Sequence, residues 1–132
     1  MAPGTNVPSG RARLPHVTTV AGDFASNGQA LNTALNLQDV GGEGQSLNAV
    51  QQQATAELAW ANANPPADCY RTVWQAFHDA MNSFVQATAI AMPWVRSLTE
   101  SFATYPPDAA RFTKAGGDAL GSIATLETSI HC

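Results

Sequence analysis

The chain has 132 residues, 45% of them apolar and only 12% charged, with a net charge of −4. That length fits one domain with one core. Six Lys and Arg in total, with Arg11 and Arg13 in the N-terminal tail the only hint of a patch, offer little to phosphate, so nucleic acid is not an expected partner.

Charge is about half the usual share, and Ala, Asn, Gln, Ser and Thr take its place. Such a surface suits an extracytoplasmic or secreted protein, or a subunit whose neighbours cover it. No apolar run approaches the ~20 residues of a membrane span. The opening MAPGTNVPSG has neither the basic nor the apolar region of a secretory leader, so the secreted expectation rests on composition and on the two cysteines.

Residues 1–15 hold Pro3, Pro8, Pro15, Gly4 and Gly10 and no periodic pattern. They predict an extended N-terminal arm ahead of a single helical domain over 16–132. From His16 to Val40, a stripe of Val17, Val20, Ala21, Phe24, Leu31, Ala34 and Leu35 predicts a first helix, interrupted at Asn27-Gly28. Gly41-Gly42-Glu43-Gly44 should end it. A second helix is predicted from Ser46, as N-cap, to Ala63, with Leu47, Val50, Ala54, Leu58 and Ala61 on one face. The short connection makes these two an antiparallel hairpin.

The stretch from Pro66 to Met92 organises the chain. Tyr70, Val73, Trp74, Phe77, Ala80, Met81, Phe84, Ala87, Thr88 and Ala91 recur at helical spacing, and no other stretch carries so many large apolar side chains. Pro65-Pro66-Ala67-Asp68 starts it, and Pro106-Pro107-Asp108 repeats that chemistry before a last helix to about Ile130. The core face of that helix is Phe112, Ala119, Ile123, Leu126 and Ile130.

Cys69 and Cys132 predict a disulfide. A straight helix from Pro66 to Thr104 would be about 58 Å long against about 36 Å for the last one, and the cysteines could not meet. A bend or break at Pro93, with Trp94 to Thr104 as a short crossing helix, brings them together. The bridge would close about 64 residues, worth roughly 4 kcal/mol by loop entropy. The predicted fold is therefore an all-α, up-down bundle of about four main helices with a bend or break at Pro93.

No constellation points to catalysis, and no enzyme activity is expected. His78 and Asp79 are helix neighbours and do not form a dyad by spacing. Asp68, Cys69, His131 and Cys132 would meet at one end of the bundle, but without C-x-x-C spacing and with both thiols in a disulfide no metal is expected. Tyr70, Trp74, Phe77, Met81, Phe84 and Trp94 read mainly as core. Their functional reading is a pocket for an apolar or haem-like ligand, with Tyr70, Trp74 and His78 as the candidate contacts. No C-x-x-C-H is present, and no cofactor is assigned.

Two resemblances bear on function. The corners at Trp60 to Pro65 and Phe102 to Pro106 resemble those of secreted actinobacterial haem-binding helical proteins, although Trp60 and Asn64 stand where Tyr and His ligands would be expected. The hairpin with Trp60 near its turn resembles small type VII secretion substrates, although Trp60-Ala61-Asn62 departs from W-x-G. Three functions follow as expectations. The first is a non-enzymatic interaction or self-assembly subunit, of secreted, filament or capsid type, using the arm and the amide-rich faces. Its partner would be another protein or copies of itself. The second is a carrier of a small apolar ligand around Trp74 and Phe84. The third is a small secreted helical-hairpin effector or export substrate.

Overall fold

The computed structural model describes residues 2–66, 68–97, 104–128 and 130, with side chains from residue 15 onward, Asp68 apart. Four helices run in chain order: α1 Ala2–Asn36, α2 Val40–Ala63, α3 Arg71–Arg96 and α4 Pro107–Thr128. A single 3-10 turn, Asp68–Tyr70, leads into α3. The fold is an all-α bundle, as the sequence predicts. No helix among the described residues is long and apolar enough to cross a membrane.

The order is up-down-up-down. α3 packs against α2 on one side and α4 on the other, and α1 lies mainly along α2. Two buried layers fix the register. Val17, Val20, Phe24, Val50, Ala54, Ala61, Val73, Phe77, Ala80, Met81, Phe84 and Ile123 form one. Leu31, Leu47, Ala91, Met92, Val95 and Ala109 form the other. Residues rise through the layers along α1 and α3 and fall along α2 and α4. Phe77, Ala80, Met81 and Ala91 have no exposed surface, so the stripe of α3 is the axis of the core. Phe112, expected on the core face of α4, is only half-buried and carries the Arg111 guanidinium 5.2 Å above its ring; Ala109 and Gly116 take the buried positions.

Four boundaries differ from the sequence reading. The predicted extended arm over 1–15 is instead the start of α1. Helix propagates from the packed segment beginning at Val17 without needing a new nucleus; Pro3 lies in the first turn, where its missing N–H costs nothing, while Pro8 and Pro15 each remove one backbone bond from the helix. Asn27-Gly28 does not interrupt α1 either.

The glycine run does not end α1. The chain turns at Leu37–Asp39, with Gln38 at φ 57°, and Gly41, Gly42 and Gly44 lie in the opening turns of α2. Asp39, not Ser46, is the N-cap: its carboxylate accepts from the Gly42 amide at 3.0 Å. A Cβ on Gly42 would come within 2.5 Å of that carboxylate, so this cap needs a glycine.

Pro93 neither breaks α3 nor starts a crossing helix. α3 runs through it to Arg96, and the Ser97 amide closes the helix on the Pro93 and Trp94 carbonyls. Pro93 and Ala89 are both exposed, so the Ala89 carbonyl that loses its partner can bond water. Of the expected crossing helix, 94–96 belong to α3 and 98–103 lie outside the described residues. α3 and α4 are then about 39 Å and 33 Å long and antiparallel. Cys69 is half-buried beside the base of α3, while Cys132 lies outside the described residues.

Candidate functional site

The bundle is closed along α1–α2, α2–α3 and α3–α4, but α1 and α4 barely touch. A cleft of about 410 Å³ lies between them. Its α1 wall is Ala21, Ala25 and Gly28, and its α4 wall is Gly117, Leu120 and Gly121. The floor is Phe24 of α1 and Phe84 of α3, stacked at 4.7 Å between ring centroids and 29° apart in plane.

The small residues make the space. A Cβ at Gly28, Gly117 or Gly121 would meet nothing within 4 Å. Gly116 acts differently: a Cβ there would come within 2.9 Å of the Phe84 ring, so its hydrogen lets the ring lie flat against α4.

Gln29, Asn32 and Thr113 complete the lining. Because α4 runs antiparallel to α1, Gln29 and Asn32, late in the α1 part of the wall, stand at the same end as Thr113, early in the α4 part. Phe24, Ala21, Leu120 and Gly121 occupy the other end. Among the described residues the lining contains no ionisable side chain. Behind the floor lies an inner void of about 30 Å³, shared among Phe24, Gly28, Phe84, Thr88, Tyr105 and Thr113. Thr88 donates to the Phe84 carbonyl at 2.9 Å, so its buried hydroxyl is satisfied. Burial pushes the Tyr105 phenol up, with the Thr113 hydrogen bond working weakly the other way, so it too stays neutral.

The candidates named from sequence lie elsewhere. Tyr70 is buried at the start of α3. The Trp74 indole N–H donates at 2.8 Å to the Ala61 carbonyl in the last turn of α2, which also accepts from the Asn64 amide at 3.2 Å. His78 stacks on Trp74 at 5.1 Å and lies 3.3 Å from the Asp79 carboxylate, a closer approach than helix spacing suggests. Asp79 is exposed and also accepts from Gln75, so the contact is a surface one. None of Tyr70, Trp74 and His78 lines the cleft; of the aromatic cluster only Phe84 does. Trp94 packs edge-on against Tyr105 in the second layer. No three metal-ligating side chains come together among the described residues.

Two polar features escaped the sequence reading. His16 donates or accepts at 2.6 Å with Glu57 and stacks at 4.1 Å on Trp60, which meets Phe77 edge-on; this fastens α1 to α2. Glu43 is 1% exposed, and its Oε2 finds no hydrogen bond. Burial, and secondarily the Asp39 charge, push its carboxyl up. An i, i+4 pairing of small residues, Ala21 with Ala25 and Gly117 with Gly121, was the one signal of the cleft in the sequence.

Comparison of the chain with known protein families, with curated proteins and with solved structures finds no match.

Proposed function

We propose that the chain is a non-enzymatic binding protein that takes a small apolar molecule in the α1–α4 cleft. One observation carries this reading: an uncharged cleft of about 410 Å³ on an aromatic floor, within the ~300–1,000 Å³ typical of ligand sites. It moves the carrier function from the Trp74–His78 face to the opposite side of Phe84. Titration with N-phenyl-1-naphthylamine tests it. Saturable 1:1 fluorescence enhancement is expected, weakened at least tenfold by Gly117→Leu, whose side chain has room to fill the slot. No saturation, or equal binding by the variant, refutes it.

A second reading keeps the interaction subunit. With His16 opposite Glu57 and Trp60, α2 ends near residue 13 of α1, so about ten residues of α1 run past it. That segment is the surface we assign to a protein partner or a further copy of the chain. Light scattering on the full chain and on a chain lacking 1–15 checks it: an oligomer lost on truncation supports it, and a monomer in both cases refutes self-assembly. We also assign an extracytoplasmic location and a Cys69–Cys132 bridge, on the low charge and the antiparallel α3–α4 pair. Two titratable thiols in the unreduced, unfolded chain would overturn the bridge.

A further inference from the structure

We infer that the guest of this cleft is a neutral, flat amphiphile, a fused-ring molecule bearing a hydroxyl or carbonyl at one end, bound with that end towards Asn32 and Thr113. The inference rests on the binding reading and deepens it.

Three features carry it. Small residues form most of both walls, Ala21, Ala25 and Gly28 on α1 and Gly117 and Gly121 beside Leu120 on α4, so the space is a narrow slot, and the stacked Phe24–Phe84 floor offers aromatic contact. A planar ring fills a slot with little lost contact. The polar groups are segregated, with Gln29, Asn32 and Thr113 at one end and none at the other. Thr113 gives its hydroxyl proton to the Ala109 carbonyl at 2.8 Å and accepts from the Tyr105 hydroxyl at 3.5 Å, which leaves a guest at most one lone pair, while the exposed Gln29 and Asn32 amides offer both donors and acceptors. A guest carbonyl or hydroxyl is matched there. Finally, among the described residues no cation lines the slot to compensate a carboxylate or sulfonate, and no anion to hold an amine, so a charged guest would lose its water without a partner there.

The test uses displacement of N-phenyl-1-naphthylamine from the full chain by three matched compounds: 2-acetylnaphthalene, 2-ethylnaphthalene and 2-naphthoate. The preference for the ketone over the ethyl compound should fall roughly three- to tenfold in a Gln29→Leu/Asn32→Leu variant, the loss expected for one hydrogen bond. Asn32→Leu alone should show part of that fall, should the double variant fold poorly. Taking the ratio within each variant removes the difference in hydrophobicity between the two compounds. The carboxylate should displace at least tenfold more weakly than the ketone. An unchanged ratio, or a carboxylate that competes as well as the ketone, overturns the inference while leaving the binding reading intact. Failure of the naphthylamine probe itself would remove the binding reading first.

Discussion

Adjacent glycines in α4 should respond to alanine in opposite directions. Both sit inside a helix, where Gly→Ala gains about 1 kcal/mol from backbone propensity. At Gly117 the new methyl meets nothing within 4 Å, so the whole gain should appear. At Gly116 it would stand 2.9 Å from Cε2 and Cζ of Phe84 and 3.1 Å from Cδ2. Ordinary carbon contacts lie near 3.5–4.0 Å, so the ring must move by about 0.7 Å, and it is held on its other face by Phe24. Overpacking of that kind costs about 1–3 kcal/mol, which outweighs the propensity gain and leaves a net loss of about 1 kcal/mol. The two variants should therefore differ by about 2 kcal/mol, or roughly 6–8 °C in Tm for a domain of this size. Thermal and urea unfolding followed by circular dichroism at 222 nm measures it. The displaced ring is part of the cleft floor, so Gly116→Ala should also weaken probe binding. Two variants stabilised alike would refute the packing of Phe84 on α4.

Three further outcomes follow from the same geometry. Asp39→Ala should lose about 1 kcal/mol of unfolding free energy while Ser46→Ala stays near neutral, because the helix starts at Val40. Glu43→Gln should stabilise the chain at neutral pH. The raised carboxyl contributes stability that is full below its unfolded-state value and lost as pH rises through the folded one, so the advantage of the amide should vanish in acid; pH-dependent urea midpoints report it. His16→Ala should cost about 1–2 kcal/mol through the lost ring stack and the bond to Glu57, and Glu57→Ala in that background should cost little more, a coupling that a double-mutant cycle reads directly.

The stripes in the sequence were enough to give four helices, their faces and the central place of α3, because large apolar residues at helical spacing have one burial solution. The punctuation was less legible. Proline and glycine report local preference, and at Pro93, at Gly41–Gly44 and in residues 2–15 the helix continues all the same. Pro93 is tolerated since the bond it removes faces water, and the glycines are tolerated under the Asp39 cap. The cleft was the hardest feature to see. Its walls on α1 and α4 are mostly Ala and Gly, with Leu120 the one large wall residue, so hydrophobic periodicity gives it little weight. Attention went instead to Trp74 and His78, whose rings are occupied with capping α2 and stacking on each other.

The most direct measurement is a two-dimensional NMR titration of the isotope-labelled full chain with N-phenyl-1-naphthylamine. The account predicts shift changes concentrated in residues 21–32 of α1, in 113–121 of α4 and at the Phe84 ring. Changes centred on Tyr70, Trp74 and His78, or spread evenly over the chain, would contradict it.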